Sequence, residues 1–575
     1  MRKIIKKKNN KEYPWFKYYK NGIKAHLNYP DVSMYEMIRR AAIKHPSNIA
    51  YTFYGTRVTY KSYLRKIDEA ACAFAHLGVV KGDYVSMIMP NTPEAITCFY
   101  ALNKIGCIVN MIHPLSSEEE LKYGINLTNS TYVMVADIAF EKLSNILDET
   151  NVKKVVYAPV CESMDPITKI GYKLTTGRKS KKPSGNNVIP YYRFISRAKF
   201  YKQKIKDNSV GSDIAAILHS GGTTGTPKGI VLTNLNFNAL AIQGAHMSQV
   251  LGTGVSLLAI MPIFHGFGLG VTFHATMISA DEAIILPTVN PKKFDETILK
   301  YKPNAIACVP GLLSSLPKSK KLIDADLSFI KCVLCGGDFL SESLNTQLDE
   351  FFHDHGCDIK IRTAYGMTEC CAGATMMPPG ESRLKSIGIP LSDCIVKIIN
   401  PDTNLECKFG EIGEICVNSP TVMKGYLNEE KETKLVLEKD KDGNTYLHTG
   451  DLGYMDKDGF VYFESRLKRM IVSSGYNIYP GQIEKIINEH PYVDTCVVVG
   501  VPHPYKKEVV KAYIVLKKDI ELTSEVKKSI KEHCERNIAS YSLPYAYGYR
   551  KELPKTKLGK VAYRDLINND EGESD

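Results

Sequence analysis

The sequence predicts an α/β protein with a large N-terminal domain and a smaller α/β domain at the C-terminus. Strand-like and helical apolar patterns alternate along most of the chain, which is typical of layered α/β architecture. The chain has 575 residues, too many for one compact core. The pattern changes after Arg466, and the residues that follow resemble a small α/β domain. We therefore divide the chain at Lys468, into residues 1–467 and 468–575.

The first elements are predicted from apolar periodicity. Residues 49–54 and 84–89 are apolar-rich runs typical of strands, whereas residues 60–76 and 93–105 have the pattern of helices. This alternation continues downstream, and it predicts helices layered on a sheet.

A basic insert interrupts this pattern at about residues 160–206. Tyr172, Tyr191, Tyr192 and Phe194 are interleaved with its cations, and acidic neighbours are almost absent. The cations are Lys169, Lys173, Arg178, Lys179, Lys181, Lys182, Arg193, Arg197, Lys199, Lys202, Lys204 and Lys206. Two interpretations are open: a solvated loop, or a surface that contacts an anionic membrane together with the basic N-terminal tail, at ~1 kcal/mol per cation.

Residues 230–280 contain no Asp, Glu, Lys or Arg, which raises the question of a membrane span. Polar side chains and helix breakers oppose that interpretation: Asn234, Asn236, Asn238, Gln243 and His246 in the first half, Pro262, His265, Gly266, Gly268 and Gly270 in the second. We instead expect a buried helix, a buried strand and a loop that lines a dry pocket.

The C-terminal domain has its own pattern of elements. Ile483, Ile486 and Ile487 share one face of a predicted helix, followed by strands at residues 495–501 and 509–516. A helix is predicted at residues 524–538, and the acidic end of the chain is expected to fray.

The composition indicates which ligands and which cellular compartment to expect. Lysine and arginine exceed the acidic residues by 12, a moderate bias that favours anionic ligands and gives no ground to infer nucleic acid. Fifteen cysteines and an N-terminus without an apolar h-region favour reduced thiols and a cytoplasmic protein, peripheral at a membrane if the insert binds lipid. Cys332 and Cys335 have CxxC spacing but lie in an apolar run, and we expect them to be buried. The oligomeric state is not determined by the sequence.

The segment from Ser220 to Gly229 predicts a loop that cradles phosphates. Its glycines let backbone N–H groups turn inward, and its hydroxyl side chains add donors beside Lys228. It differs from a Walker loop because Pro227 precedes the lysine and the chain continues as a strand rather than a helix. We predict a strand–loop–strand phosphate clasp.

Further motifs follow this loop in a fixed order. They are His265-Gly266, Gly336-Gly337-Asp338, the segment from Ala364 to Glu369, Thr449-Gly450-Asp451, Arg466, and the segment from Pro554 to Lys560. Together with the loop, they resemble the adenylate-forming superfamily of acyl-CoA synthetases, adenylation domains and luciferases. The chain looks most like the medium- to long-chain fatty acyl-CoA synthetases, from about Tyr35 to Leu566.

The resemblance implies a multi-sheet N-terminal domain, a mobile C-terminal domain that turns about Lys468, and a role for each motif. For ATP binding it implies Ser220, Gly221, Gly222, Thr223, Thr224, Gly225, Lys228, Gly336, Gly337, Tyr365, Gly366, Asp451 and Arg466. For catalysis it implies Lys560, Glu369 and Thr368, for Mg²⁺ Glu369 with Thr224, and for the acyl pocket His265, Gly266 and Gly268.

The implied reaction joins a carboxylic acid to a thiol at the expense of ATP. The carboxylate attacks the α-phosphorus, so the site needs Mg²⁺ and cations to neutralise the gathering charge. Residues 264–270 contain no acid to pair an amino group, which favours a fatty acid as substrate. The resemblance implies CoA as the acceptor. Two alternatives stay open: a ligase that loads an acyl carrier protein, and a nucleotide-binding relative without catalysis.

Overall fold

The computed structural model describes residues 12–20, 22–180, 183–219, 227–473, 476–503, 507–538, 542–554, 561 and 563–568. The chain divides into two compact units that do not follow a single cut. The first comprises Met1–Val396, Cys416–His448 and Asp456–Val461, and the second Lys397–Ile415, Thr449–Met455 and Tyr462–Asp575.

A nine-stranded sheet lies in the first unit. Its strands, in spatial order, are Ile389–Pro390, Thr375–Met376, Arg362–Tyr365, Cys332–Gly336, Ala305–Cys308, Ser256–Ala259, Glu282–Ile285, Ile49–Phe53 and Thr56–Thr59. The six strands from Arg362–Tyr365 to Ile49–Phe53 are parallel, and antiparallel strands complete both edges. The carboxyl ends of parallel strands therefore open at one edge, where α/β proteins bind ligands.

An eight-stranded sheet also lies in the first unit. Its strands, in spatial order, are Gly425–Tyr426, Gly229–Thr233, Ile214–His219, Ile108–Met111, Tyr84–Ile88, Tyr132–Val135, Lys154–Tyr157 and Val188–Pro190. The last six are parallel, and the strand after the phosphate loop runs antiparallel to its neighbours.

Two five-stranded sheets follow. One has the order Ile395–Ile399, Gly413–Asn418, Thr445–Met455 and Leu437–Lys439, with Val461–Arg466 beside the long strand. The other, in the second unit, has the order Tyr476–Ile478, Ile471–Ser473, Lys507–Leu516 and Val493–His503, with Ala546–Tyr549 beside Lys507–Leu516.

Side-chain caps mark the starts of several helices. Ser33, Thr59, Thr92 and Thr233 each accept a hydrogen bond from a backbone N–H in the first turn of the helix that follows. The α-helices of the first unit are Met34–Lys44, Tyr60–His76, Pro93–Ile105, Glu118–Leu127, Asp137–Ile146, Pro166–Leu174, Tyr191–Ser196, Asn234–Ser248, Thr276–Ile278, Phe294–Tyr301, Pro310–Leu313, Glu342–Asp354 and Glu430–Val436. Those of the second are Pro480–Asn488, Ser524–Asn537 and Tyr563–Asn568.

The uncharged stretch at residues 230–280 contains the predicted buried helix, Asn234–Ser248, and the predicted strand, Ser256–Ala259. The predicted loop is wrong, because residues Phe267–Ala275 form a π-helix. Buried amide groups of Asn234–Ser248 donate to backbone carbonyls: Asn236 to those of Pro420 and Val422, and Gln243 to that of Ser392. These bonds offset the cost of burying amides and fix the helix in place.

The structure shows where the cysteines and the single tryptophan lie, and whether any helix could span a membrane. All fifteen cysteines lie in the described part of the chain without a disulfide, and Cys332 and Cys335 are buried, as expected. Among the described residues no helix is both long and apolar enough to cross a bilayer. The single tryptophan, Trp15, is 1% exposed and packs against Gly459 of the first unit.

Candidate active site

The predicted strand–loop–strand clasp is built on two antiparallel strands. Ile214–His219 pairs with Gly229–Thr233, and His219 stands opposite Gly229 at the end of this ladder. Six of the predicted phosphate-binding residues, Ser220, Gly221, Gly222, Thr223, Thr224 and Gly225, lie outside the described residues. Lys228 is described and lies immediately before the returning strand.

A buried polar network lies at the base of this clasp. The His219 Nε2 lies 2.7 Å from the Asn110 Oδ1, and the Asn110 amide donates to Ser86 and to the Gly124 carbonyl at 2.8 and 2.9 Å. Burial lowers the pKa of His219 to about 4, so its ring is neutral near neutral pH. The network fixes the strand end from which the loop departs.

Lys228 meets two residues that the sequence did not single out. Its ammonium forms an ion pair with Glu432 and lies 4.8 Å from the centre of the Tyr426 ring. Tyr426 is brought here by the antiparallel pairing of Gly425–Tyr426 with Gly229–Thr233. No local pattern could reveal Tyr426, because its place depends on a pairing across nearly two hundred residues.

Tyr426 also connects Lys228 with Glu369. Its hydroxyl donates to the Glu369 Oε1 at 3.1 Å. Burial, together with the Glu369 carboxylate, raises the pKa of the Tyr426 hydroxyl above its ordinary value, so it stays a donor at neutral pH. Glu369 is itself buried. The structure therefore brings the clasp lysine and the predicted metal-binding carboxylate around one tyrosine.

The predicted adenine-binding segments are neighbours at the carboxyl ends of two parallel strands. Gly336 stands opposite Ala364 in the register, which places Gly337 beside Tyr365 and Gly366. A Cβ at Gly336 would lie 3.0 Å from the Ala364 carbonyl oxygen, and Gly337 has a φ of +80°. Both positions favour glycine, since any side chain would crowd the neighbouring strand or strain the backbone.

The turn that carries Thr368 and Glu369 is strained. Cys371 and Ala372 both have positive φ, at 53° and 71°, which is unusual for residues with side chains. Backbone hydrogen bonds from Cys371 to the Thr368 carbonyl and from Ala372 to the Met367 carbonyl close the turn. Strain of this kind costs about 1–3 kcal/mol per residue and is concentrated at functional sites.

His265 follows a turn that is fixed by Asn91. The Asn91 amide donates to the carbonyls of Ala259 and Met261, and its oxygen accepts from the N–H of Ile263 at 2.8 Å. The ring of His265 packs beside Phe264, at 5.0 Å between centroids. Asn91 is a third residue that the sequence gave no reason to select.

The glycines after His265 allow close packing. A Cβ at Gly268 would lie 1.9 Å from the Pro262 carbonyl oxygen, and one at Gly266 would lie 3.2 Å from the Cβ of Ala372. The second contact brings the His265 segment against the turn that carries Glu369. At both glycines the space of a side chain is taken by the protein itself, so their part in substrate binding stays a prediction.

An apolar cavity of about 70 Å³ lies next to this turn. Phe267, Val271 and Ala275 line it from the π-helix, and Leu240 and Gly244 from helix Asn234–Ser248. The remaining lining residues are Ser248, Val250, Leu251, Leu257, Ala305, Ile306, Ala307, Cys332, Leu334, Ala364, Ala372, Gly373, Thr375, Met376 and Leu391. None of these described residues is charged, and Ala364 and Ala372 border the predicted nucleotide segments.

The predicted ribose-binding pair lies in the second unit. The Arg466 Nε is 2.9 Å from the Asp451 Oδ1, and Asp451 is buried whereas the arginine side chain is half exposed. Gly450 has a φ of +69°, and its N–H donates to the Glu414 Oε1 at 2.8 Å. The Thr449 hydroxyl donates to the Ile415 carbonyl. The predicted motif is thus a fixed turn that holds one carboxylate and one guanidinium together.

Two predicted residues remain, Lys468 and Lys560. Lys468 is in the short 3₁₀ turn Leu467–Arg469, and Lys560 lies outside the described residues. The hinge, the domain boundary at Lys468 and the catalytic lysine therefore stay predictions.

Comparison with known proteins agrees with the predicted resemblance. The chain is 31% identical to the long-chain-fatty-acid–CoA ligase of Bacillus subtilis strain 168, over 97% of this chain and 98% of that protein. It is 28% identical to the ligase of the same name from Escherichia coli O157:H7, over 98% and 99% of the two chains.

A solved structure shares the fold. ATP-bound MatB from Rhodopseudomonas palustris superposes with a TM-score of 0.78 at 22% identity, over 93% of this chain and 98% of that one. The sequence also matches the AMP-binding enzyme family at residues 38–427 and its C-terminal domain at residues 482–560. The predicted membership of the adenylate-forming superfamily is confirmed: the chain belongs to the AMP-binding enzyme family.

Proposed function

We propose that this protein is an ATP-dependent ligase that joins a medium- or long-chain fatty acid to CoA through an acyl-adenylate. In the first step, a carboxylate oxygen attacks the α-phosphorus of ATP and pyrophosphate leaves. In the second, the CoA thiol attacks the acyl carbonyl, loses its proton, and AMP leaves. The near full-length relatives named long-chain-fatty-acid–CoA ligase support both steps.

The observation that carries the choice of a fatty acid is the uncharged cavity. It borders the turn that carries Thr368 and Glu369, so a chain held in it would present its carboxylate beside the nucleotide segments. An amino acid would bury its ammonium among apolar side chains there, at a cost of several kcal/mol. Burial of methylenes contributes about 0.8 kcal/mol each, which favours an apolar acyl chain.

The described residues of the first unit have the chemistry for nucleotide binding. We assign Lys228 and the loop from Ser220 to Gly225 to the β- and γ-phosphates, and Thr368 to the α-phosphate. Gly336, Gly337, Tyr365 and Gly366 form the adenine site at the two strand ends. His265 borders the acyl pocket with Gly266 and Gly268, held by the turn that Asn91 fixes.

Mg²⁺ fits the donors at Glu369. The carboxylate is a hard oxygen ligand, and the hydrogen bond from Tyr426 orients it. We assign the ion to Glu369 and Thr224, beside the phosphates; the ion would supply positive charge against the repulsion between a carboxylate and a triphosphate.

The second unit contributes the remaining groups of the proposal. Asp451 accepts hydrogen bonds from the ribose hydroxyls, and Arg466 holds this carboxylate in place. Lys560 supplies a cation to the first step, and rotation about Lys468 withdraws it before the thiol arrives. The domain boundary at Lys468 is part of this proposal.

We further propose that the protein is cytoplasmic and that its basic insert contacts an anionic membrane.

The decisive experiment is a panel of fatty acids of graded chain length, incubated with ATP, Mg²⁺ and either CoA or an acyl carrier protein. We expect acid-dependent pyrophosphate release and acyl-CoA by mass spectrometry, with longer chains preferred. If the acyl group is transferred only to the carrier protein and not to CoA, the carrier protein is the acceptor. Tight ATP binding without pyrophosphate release, for every acid in the panel, would refute a ligase.

A further inference from the structure

Helix Pro166–Leu174, in the basic insert, turns its apolar side outward. Ile167, Ile170 and Leu174 are 83%, 60% and 70% exposed, and all nine residues of the helix are described with none buried. Their spacing places them on one face, since successive residues of an α-helix are about 100° apart. An ordinary surface helix directs such a face to the core.

The opposite side of the helix is held by polar contacts. The Tyr172 hydroxyl donates to the buried Asp137 Oδ2 at 3.0 Å, and the Lys169 ammonium donates to the Glu162 carbonyl at 2.9 Å. The Asp165 carboxylate accepts from the N–H groups of Ile167 and Thr168 and caps the first turn. The helix is therefore anchored through its polar side, and this anchoring leaves the apolar face open.

Cations flank the open face. Lys173 is exposed within the helix, and Arg178 is exposed in the 3₁₀ turn that follows. The sequence has twelve lysines and arginines and no acidic residue from Pro166 to Lys206. A protein partner would have to be strongly acidic, whereas an anionic bilayer offers negative headgroups above an apolar layer.

We propose that helix Pro166–Leu174 is an interfacial helix that docks the protein on an anionic membrane. Ile167, Ile170 and Leu174 enter the boundary between headgroups and acyl chains, and the helix lies in the membrane plane. The stem of Lys173 lies along the interface while its ammonium group meets the headgroups. This inference stands on the helix alone and does not depend on the proposed ligase activity.

The test is co-sedimentation of the full-length protein with vesicles of phosphatidylcholine alone or with about one third phosphatidylserine. We expect binding to the anionic vesicles only, weakened by high salt. The triple variant Ile167→Ser, Ile170→Ser, Leu174→Ser is expected to lower the partition coefficient at least about 10-fold. Charge reversal by Lys173→Glu with Arg178→Glu is expected to weaken binding most at low salt.

A matched triple variant controls for general surface hydrophobicity. Ile43, Ile323 and Leu405 are 60%, 67% and 68% exposed outside the insert, and their replacement by serine is expected to leave vesicle binding unchanged. The proposal is overturned if the helix variant binds like wild type, or if neutral vesicles bind equally well. It is also overturned if the wild-type protein self-associates without lipid through this open face, and the helix variant abolishes that self-association. Unchanged melting temperatures establish that all variants are folded.

Discussion

At the scale of single residues, the pairing of Lys228 with Glu432 sets up a competition. The same ammonium is assigned to the phosphates of ATP, so nucleotide binding has to replace the carboxylate. Both side chains are partly exposed, and such pairs contribute about 0.2–1 kcal/mol. Breaking this ion pair therefore makes the free energy of ATP binding less favourable by a modest but measurable amount.

We expect Glu432→Gln to lower the Kd of ATP about 2- to 5-fold, because the amide no longer holds the lysine as an ion pair. Isothermal titration calorimetry measures this directly. Glu430→Gln, on the same helix, is the matched control for the loss of one negative charge. Equal effects of both changes would show that only net charge matters.

Glu94 is a buried carboxyl at the start of helix Pro93–Ile105. Its Oε1 accepts a hydrogen bond from Ser163, while no described residue pairs with its Oε2. Burial raises the pKa of Glu94 to about 7. A raised pKa means that the folded protein holds the proton more tightly than the unfolded chain, so stability falls as the pH rises from about 4.5 towards 7.

We expect Glu94→Gln to remove this dependence, since an amide keeps an acceptor for Ser163 and never ionises. The melting temperature of the variant relative to wild type is expected to increase between pH 5 and pH 8. At pH 8 the difference is equivalent to roughly 3 kcal/mol in the free energy of unfolding. Thermal unfolding at a series of pH values measures the trend. A constant difference across the range would contradict the raised pKa.

The site residues that could not be predicted from the sequence are those whose position depends on contacts with distant segments. Lys228, Tyr365 and Glu369 could be selected because each lies in a recognisable motif. Tyr426 and Asn91 could not, because a strand pairing and a set of backbone carbonyls from distant segments give them their place.

At the scale of elements, local apolar periodicity was sufficient to predict the bounds of the following helices and strands. Helices Tyr60–His76 and Pro93–Ile105 have the predicted bounds, and the strands and helices of the C-terminal region lie within two residues of theirs at most ends. The π-helix Phe267–Ala275 was missed because its wider turn depends on hydrogen bonds one residue longer than those of an α-helix. Apolar spacing does not distinguish this geometry in a glycine-rich segment.

The π-helix gives the cavity one wall, and Val271 stands in the middle of it. We expect Val271→Phe to shorten the preferred acid, because the ring fills space that the far end of a long chain would occupy. Losing the burial of two methylenes alone would reduce kcat/KM about 10-fold. Val271→Ala is the control, and it is expected to retain long acids.

The measurement is acyl-CoA formation with short and long acids, for both variants and wild type. A loss that is equal for all chain lengths would indicate damage to the turn beside the cavity rather than a shorter pocket.

At the scale of the whole molecule, the proposal divides the work between the two units. Lys560 is assigned to adenylate formation and not to thioester formation. We expect Lys560→Ala to reduce acid-dependent pyrophosphate release about 100-fold or more, as for other groups that stabilise transition-state charge. Conversion of supplied acyl-adenylate and CoA to acyl-CoA is expected to change much less.

Single-turnover assays of the two steps separate them. Lys557→Ala, in the same segment, is the matched control for loss of a nearby cation. Equal losses in both steps for Lys560→Ala would contradict the division of labour.

The buried Trp15 has a further consequence for experiments on this protein. Because it is the single indole of the chain and packs within the first unit, intrinsic fluorescence excited at the red edge reports on that unit alone. Circular dichroism averages over the entire chain. A denaturation curve that differs between the two signals would therefore resolve independent melting of the second unit without any added label.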